Sequence, residues 1–456
     1  MHRVSDQLED RYPYKSGFRE EHDATEVSRA YGSHDIGRYC QLLSLKEDLA
    51  DEARIKALSG LADLLANQEN KAKAVAAGVI PSMSRLMTVS NPDIRLGSAA
   101  VLAAIAWDAD GVVAMDKDPT LLFNLNSLLF DAQPTCVEMA SKAFVNLTTC
   151  RDSIPIVLSR SYIPEKLVAM ASCGDDTLTT ATVLNLYQTF GQLTKSHAGA
   201  QALAQVKVVP ALVRVLQKPL SFPSKLLRHV VLAVWNLATH NAGKLEAIKA
   251  NVVELTIKVL SGAQKGVFHS LDSQSKLDLI RIASGALMAL STAELAKPKL
   301  LATGIDVLVG CLLVNESKQN AIQALNYMCE DRSGLLPVVA LLLDHPTQLL
   351  VQVFSIRATP ALNTLLEQQL KSPQLILQAI LAMVAQDGGV DEVTQCLNML
   401  DNVTKLCQIN ADAPQVPALA TQIIKAIAEH DDKARARVER ALERHKIAPA
   451  FVHAVL

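Results

Sequence analysis

Aromatic residues are scarce in this chain, and neither sign of charge is in large excess. Of its 456 residues, 4% are aromatic although 50% are hydrophobic. The core must therefore consist mainly of aliphatic side chains and alanine, as in helices that pack closely. The formal net charge is −2, so no positive field covers the whole chain. We therefore expect no nucleic-acid partner, because such binding would need a local basic patch.

Long apolar runs and paired cysteines are also missing. The most apolar central run begins at Leu300, contains Asp306 and is too short to span a bilayer. The N-terminal segment lacks the apolar stretch of a secretory signal. The eight cysteines include no C-x-x-C pair, so we expect buried free thiols in a reducing compartment. These absences predict a soluble intracellular protein that does not contact membranes.

Catalytic motifs are absent as well. The sequence has no phosphate-binding loop, dinucleotide fingerprint, H-E-x-x-H zinc motif or G-x-S-x-G elbow. His229 and His240 flank one predicted helix, and we interpret both as boundary residues rather than metal ligands. The paired carboxylates, Asp175 with Asp176 and Asp431 with Asp432, lie in hydrophilic turns, where carboxylates commonly cap helices. We therefore expect no enzyme activity, cofactor, metal or small-molecule substrate.

A repeat dominates what remains. Small residues lead to a large apolar residue, here called the anchor, and this pattern recurs every 38 to 53 residues. The anchors are Leu64, Ile105, Leu147, Leu193, Leu237, Leu290 and Met328. The residues seven and four positions before each anchor are mostly small and share its helix face. A repeat of this length predicts a stacked helical solenoid.

The predicted helix starts agree with this period. Pro81, Pro164 and Pro210 each come 17 residues after an anchor, where proline suits the first turn of a helix. Gly78 ends a short predicted helix just before the first of them. A glycine-terminated short helix followed by such a start resembles the armadillo-repeat family. The resemblance implies an all-α, armadillo/HEAT-type right-handed α-solenoid of about seven to nine repeats.

Three segments follow from the repeat pattern. Residues 1–24 are predicted to form an extended tail, and residues 25–333 the armadillo-repeat solenoid. Residues 334–456 are predicted to contain degenerate helical repeats and a C-terminal cap. Met383 and Ile427 would anchor two of these degenerate repeats.

Three stretches depart from the period. Residues 261–275 lengthen one unit and predict a surface loop, and residues 218–225 predict a proline-containing connector. The last stretch, from Ala428, carries charge on most faces. It predicts either a polar cap for the end of the solenoid or a helix that binds a partner.

The armadillo resemblance points to a protein-binding groove. In that family the residue before each anchor faces the concave groove, and an Asn there binds the backbone of an extended peptide. The candidate groove residues are Asp63, Asn146, Gln192, Trp235, Asn236 and Tyr327. Only Asn146 and Asn236 match the family's Asn, and Gln192 is a substitute, since an amide both donates and accepts hydrogen bonds. Nuclear-import adaptors place a Trp four residues before that Asn, where this chain has Lys142 and Leu232, so import-signal recognition is disfavoured.

The N-terminal tail contains three aromatic residues in a charged segment. They are Tyr12, Tyr14 and Phe18. The tail is either a disordered segment or a docking arm whose aromatic residues become ordered on a partner.

A second resemblance concerns the first part of the repeat region. Ala30, Tyr31 and Gly32 precede a polar helix, and the segments starting at Asp51 and Asn91 follow in order. This order resembles the radial spoke head protein 14 family, the armadillo-repeat subunits of the ciliary radial spoke. The chain departs from that family by its longer N-terminal tail and a C-terminal extension beginning near residue 334.

The radial-spoke resemblance implies a non-catalytic scaffold in the axoneme of a cilium or flagellum, within the cytoplasm and cytoskeleton. Its partners would be other axonemal proteins in a large hetero-complex that supports cell motility. The alternative is a soluble armadillo adaptor or transport receptor that binds extended peptides in its concave groove.

Overall fold

The structure is a computed structural model, and all its regular secondary structure is helical within the residues that it describes. These residues are 34–45, 49–160, 162–172, 178–269, 271–329, 332–343, 359–368, 373–385, 388–396, 398–407, 415–449 and 452. They divide between two compact units, Met1–Leu125 and Asn126–Leu456. Tyr12, Tyr14, Phe18, Asp175 and Asp176 lie outside the described residues.

Seven helices begin in the first unit. They are α1 (His34–Ser44), α2 (Asp51–Leu64), α3 (Gln68–Ala76), α4 (Val79–Leu86), α5 (Pro92–Ile105), α6 (Ala109–Asp116) and α7 (Pro119–Ser127). Helix α5 begins at a proline, and the side chain of Asn91 accepts a hydrogen bond from the amide of Asp93 at 3.0 Å. This cap satisfies an amide that has no partner within the helix. Gly78, with a φ of 75°, makes the tight turn between α3 and α4.

The second unit begins with helices that continue the repeat. They are α8 (Pro134–Thr149), α9 (Ile154–Leu158), α10 (Tyr162–Ser172), α11 (Thr180–Leu193), α12 (His197–Gln205), α13 (Val209–Gln217), α14 (Ser224–Ala238), α15 (Asn241–Lys249), α16 (Val252–Gln264) and α17 (Ser273–Ser291). Next come α18 (Lys297–Thr303), α19 (Ile305–Cys311), α20 (Asn315–Met328), α21 (Arg332–Leu342), α22 (Thr359–Gln368), α23 (Pro373–Val384), α24 (Gly389–Gln395), α25 (Met399–Leu406), α26 (Gln415–Ala428) and α27 (Asp432–Arg444). Short 3-10 turns cover Leu128–Phe130 and Arg151–Ser153.

The helices that carry the anchors pack on one another in sequence order. In the second unit α8 contacts α11, α11 contacts α14, α14 contacts α17, and α17 contacts α20. The predicted contact residues seven positions before the anchors are all buried: Ala57, Ser98, Ala140, Leu186, Val230, Ala283 and Ala321. The residues four positions before the anchors are buried as well, except Gly60, which is half-buried against Tyr39. Small residues at these positions allow neighbouring helices to approach closely.

Six of the seven predicted anchors have buried side chains, and the first does not. Leu64 is half-buried, whereas Leu61 and Leu65 are fully buried. Leu61 and Leu65 are four residues apart and therefore share the buried helix face. The prediction that Leu64 fills the core was wrong by one position on this face.

The anchor carbonyls show a contact that the sequence pattern did not reveal. A Cβ added at Gly199 would lie 2.1 Å from the carbonyl oxygen of Leu193, six residues earlier. The same substitution at Gly389 would place a Cβ 1.9 Å from the carbonyl oxygen of Met383. Met383 is 1% exposed, so it repeats both features of an anchor, as predicted for the C-terminal repeats. After the first anchor Asn70 takes the corresponding place, and its amide donates to the Leu64 carbonyl at 2.9 Å.

The two predicted interruptions are shorter than expected. Helix α16 continues to Gln264 and α17 begins at Ser273, so the described loop residues are 265–269, 271 and 272. Phe268 in this loop is 8% exposed because it packs against Gly262. Residues 261–264 and 273–275, which the sequence predicts as surface loop, are helical. The connector between α13 and α14 is non-helical over residues 218–223.

Candidate functional site

The candidate site is the row of residues that directly precede the anchors of the second unit. This row, here called the ladder, consists of Asn146, Gln192, Asn236, Ala289 and Tyr327. Their helices, α8, α11, α14, α17 and α20, pack consecutively. Asn146 is 9% exposed and Ala289 is 6% exposed, whereas Gln192, Asn236 and Tyr327 are half-buried. Asp63 is exposed on α2 of the first unit and is not counted with the ladder, which lies in the second unit.

The amide of Gln192 joins two helices of the stack. Its Oε1 lies 2.6 Å from the hydroxyl of Thr148, and its Nε2 donates to the hydroxyl of Thr149 at 3.1 Å. Both threonines lie on α8, one repeat earlier. Gln192 therefore joins α11 to α8, a structural contact that the sequence did not suggest, and its role as a peptide-binding substitute stays a prediction.

Asn236 keeps more of its hydrogen-bonding capacity. Its Nδ2 donates to the hydroxyl of Thr194 at 3.2 Å, which joins α14 to α11. Among the described residues its Oδ1 has no hydrogen-bond partner. A half-buried amide with an unused carbonyl oxygen can accept a hydrogen bond from a peptide N–H. Of the two predicted Asn residues, Asn236 has this geometry, whereas Asn146 is enclosed.

Trp235 packs on the next helix of the stack rather than beside Asn236. A Cβ at Gly285 of α17 would lie 2.6 Å from the indole atoms Cε2 and Cζ2. Glycine at this position therefore permits the indole to reach the backbone of α17. The guanidinium carbon of Arg281 lies 5.9 Å from the indole centroid, within the range of a cation–π interaction. Trp235 and Asn236 thus contact opposite neighbours of α14.

A charged cluster adjoins Trp235. Asp278 accepts a hydrogen bond from Nη2 of Arg281 at 2.6 Å and pairs with Nε of Arg228 on α14. Burial raises the pKa of Asp278, but the hydrogen bonds and charges of Arg281 and Arg228 outweigh it and leave the pKa below its ordinary value. Asp278 is therefore ionised near neutral pH and fixes both arginines. The sequence pattern did not identify this cluster, because Arg228 and Asp278 are 50 positions apart.

The histidines near the site have two kinds of environment. Burial, assisted by the charges of Arg228 and Lys195, lowers the pKa of His229 to about 4. His197 and His240 face each other with their Nδ1 atoms 3.0 Å apart, and burial followed by the charge of His197 lowers the pKa of His240. In the part of the chain that the structure describes, no group of three or more metal-ligating side chains occurs.

Other predicted features occupy structural positions. The carboxylate of Asp431 accepts a hydrogen bond from the amide of Ala434 at 2.6 Å and caps α27, as predicted. The seven described cysteines are free thiols, of which Cys40, Cys136, Cys311 and Cys329 are buried. Burial raises the pKa of Cys311 to about 11 and that of Cys329 to about 12, so neither thiol is ionised near neutral pH.

Two asparagine clamps between repeats were missed by the sequence pattern. Asn185 donates to the hydroxyl of Ser141 at 3.0 Å, and Asn320 to that of Ser284 at 3.3 Å. Each Asn stands eight residues before its anchor, and each Ser stands six residues before the preceding anchor. This pairing of positions was the available signal, but it becomes visible only once the repeats are aligned.

The described helices were also considered as membrane spans. Within these residues no single helix is both long and apolar enough to cross a membrane. One pair of described helices, His197–Gln205 and Val209–Gln217, is long and apolar enough when the two are counted together. These two helices are bent by 85° relative to each other.

Comparison with known proteins identifies the fold. No protein-family model matches the sequence, and no curated protein matches it. An engineered protein solved by the Northeast Structural Genomics Consortium is similar over 92% of this chain and 96% of its own, with 18% identity and a TM-score of 0.57. The fold is an armadillo-type solenoid. The all-α architecture predicted from the repeat is therefore confirmed.

Two further solved structures are similar to this chain. One comes from work on a conserved phosphorylation switch that controls the interaction between cadherin and beta-catenin. It matches over 95% of this chain and 97% of its own, with 14% identity and a TM-score of 0.54. The other is a designed armadillo repeat protein with 18% identity that covers 56% of this chain and 99% of its own, with a TM-score of 0.48.

Proposed function

We propose that this chain is a non-catalytic scaffold that binds an extended segment of another protein along its ladder. The observation that carries this proposal is the free Oδ1 of Asn236 on a continuous stack of helices, with the indole of Trp235 against the next helix, α17. An extended peptide presents backbone N–H groups at regular intervals, and one of them would bind this oxygen. The indole would supply an apolar contact for an adjacent side chain.

The charged cluster beside the ladder supports this assignment. Asp278 fixes Arg228 and Arg281 in place, so these side chains would lose little conformational entropy when a partner binds. Arg281 also covers the indole of Trp235, and aromatic and arginine side chains are enriched among residues that dominate binding energy. The beta-catenin structure described above concerns an interaction between two proteins, and a similar use of the fold is part of the proposal.

Peptide selection tests this function directly. Extended peptides would be selected against the purified chain from a displayed library, and their affinities measured. The double variant Trp235→Ala with Asn236→Ala is expected to weaken binding at least about fivefold, because one hydrogen bond and one aromatic contact together contribute about 1–3 kcal/mol. Leu220→Ala, at an exposed connector position, is the control and should leave affinity unchanged. If no peptide is selected, or if both variants bind equally well, the ladder is not the binding site.

The finer assignment that we propose is a subunit of the ciliary or flagellar radial spoke, located in the axoneme. Its support is the sequence resemblance over residues 30–32 and in the segments from Asp51 and Asn91. Helices α2 and α5 begin at Asp51 and Pro92, within the two segments that carry the resemblance, and residues 30–32 lie outside the described residues. A tagged copy in flagellated cells should remain on the axoneme through detergent extraction and a mild salt wash. Release into the soluble fraction would contradict this assignment.

The alternative is a soluble adaptor that binds its ligands only in the groove. The ladder double variant distinguishes the two proposals in the same cells. A spoke subunit held also by its ends and its outer face should remain on the axoneme when Trp235 and Asn236 are replaced. Loss of all partner association in this variant would favour the adaptor.

A further inference from the structure

A charged cavity lies at the C-terminal end of the second unit, away from the ladder. It has a volume of about 380 Å³ and opens between α27 and the neighbouring parts of α24 and α25. Helix α27 contributes Arg437, Arg440 and Arg444, α24 contributes Thr394, and α25 contributes Asp401. Three guanidinium groups around one cavity are an arrangement suited to an anion. We call it the arginine cavity.

The arginines belong to a cationic stripe along α27. Lys433, Arg437, Arg440 and Arg444 are spaced by four, three and four residues, so they share one side of the helix. The side that packs on the rest of the unit carries Ala434, Val438, Ala441 and Leu442, all of which are buried. The stripe therefore borders the packed side, which places it at the mouth of the cavity.

The carboxylates of α27 lie on a different side of the helix. They are Asp432, Glu439 and Glu443. Glu439 pairs with Arg435, with 3.7 Å between their charged atoms, and Arg435 is not part of the stripe. The separation of signs around one helix means that the stripe is not neutralised by its own helix.

The one carboxylate in the cavity already has its own partners. Asp401 pairs with Arg444, and its Oδ1 lies 3.0 Å from Nε2 of His445. Arg437 donates to the hydroxyl of Thr394 at 2.6 Å, a contact that orients the guanidinium without neutralising it. Among the described residues neither Arg437 nor Arg440 has a carboxylate within ion-pair distance. Two positive charges are therefore left for a ligand.

We propose that the arginine cavity binds an acidic segment of a protein partner, with one acidic side chain held between Arg437 and Arg440. Guanidinium groups bind carboxylate and phosphate oxygens with paired, charge-assisted hydrogen bonds. A protein segment fits better than a nucleic acid, because the net charge of the chain is −2 and the acidic side of α27 would repel a long polyanion. This site is separate from the ladder and does not depend on it.

The test measures binding of two labelled peptides to the full chain by fluorescence anisotropy. Hexaglutamate is the probe and hexaglutamine the neutral control. The double variant Arg437→Gln with Arg440→Gln should weaken hexaglutamate binding at least about tenfold, because it removes both guanidinium groups that form charge-assisted hydrogen bonds with the ligand. Arg435→Gln removes the same charge from another side of α27 and should change the affinity less than about twofold. Added salt should weaken binding, as expected for an ion pair at the surface.

A second variant guards against loss of structure. Arg440 is exposed, and its Nε bonds only to the carbonyl of Ala436 in its own helix, at 3.1 Å. Arg440→Gln should therefore leave the melting temperature unchanged while still weakening binding. A phosphoserine peptide of the same length identifies which anion is preferred, and either order of affinity supports the site. Equal binding of hexaglutamate and hexaglutamine, an equal effect of Arg435→Gln, or no binding of either acidic peptide would overturn the proposal.

Discussion

The indole of Trp235 lies so close to Gly285 that a methyl group there would be 2.6 Å from the ring. This relationship joins two helices whose sequences are 50 positions apart and brings Arg281 over the ring. It places an aromatic side chain and an arginine together at α17, whereas Asn236, the next residue along the chain, contacts Thr194 on the other side of α14.

Replacing Gly285 by alanine is expected to displace the indole. The added methyl group has no room, and overpacking of this kind typically costs about 1–3 kcal/mol. Unfolding in urea should show this loss, and the fluorescence of Trp235 should change in a Trp107→Phe background, which leaves one tryptophan. Gly37→Ala is the control, since nothing lies within 4 Å of a Cβ at that position. Equal stability of Gly285→Ala and the parent would contradict the packing.

Replacing Gly199 by alanine should be more damaging than Gly285→Ala. The new methyl group would lie 2.1 Å from the Leu193 carbonyl oxygen, and a backbone atom within a packed helix cannot move aside as a side chain can. Of the two variants, we expect Gly199→Ala to lose more free energy of unfolding. Differential scanning calorimetry of Gly37→Ala, Gly285→Ala and Gly199→Ala would give the order of their stabilities. If Gly199→Ala is as stable as Gly285→Ala, the backbone has moved to relieve the close approach and the prediction is wrong.

Gln192 is expected to act as a connector between repeats. A double-mutant cycle of Gln192→Ala and Thr149→Ala should give a coupling free energy of about 0.5–1.5 kcal/mol, the usual net contribution of a hydrogen bond. The measurement is urea unfolding of the parent, the two single variants and the double variant. Simple additivity of the two substitutions would mean that the 3.1 Å contact contributes nothing.

Stability should depend on pH through His229. Its pKa falls from 6.5 to about 4 on folding, so the unfolded chain binds more protons between these values. The contribution of His229 is therefore fully present above pH 6.5 and is lost as the pH falls toward 4. In His229→Gln the urea midpoint should change less with pH over this range than in the parent. His269→Gln, at an exposed position, should leave that pH dependence unchanged. The same slope in both variants would show that other groups cause the pH dependence.

The repeat and its buried faces were predictable from the sequence, because helix period and residue size are local properties. Leu147 and the small residues before it illustrate this: their spacing alone indicates which face is buried. The partners across helices were not predictable in the same way. The contacts of Gln192 with α8 and of Trp235 with Gly285 depend on the register between helices more than 40 residues apart, which no local pattern specifies.

The site was therefore predicted only in outline. The sequence indicated Asn146, Gln192 and Asn236 as equivalent amides, and the structure gives each a different environment. The sequence indicated a charged C-terminal helix that contains the arginines of the cavity. Their contacts with Asp401 and Thr394 depend on how α27 packs, which the sequence does not specify.

The most direct test of the central proposal is site-specific photo-cross-linking in flagellated cells. Tyr327, half-buried on the ladder, and Leu220, which is 68% exposed in the connector, would each be replaced by p-benzoylphenylalanine in separate copies of the chain. A protein scaffold that uses its ladder predicts a discrete cross-linked partner from position 327 and none from position 220. Cross-links from position 220 alone, or from neither position, would contradict it.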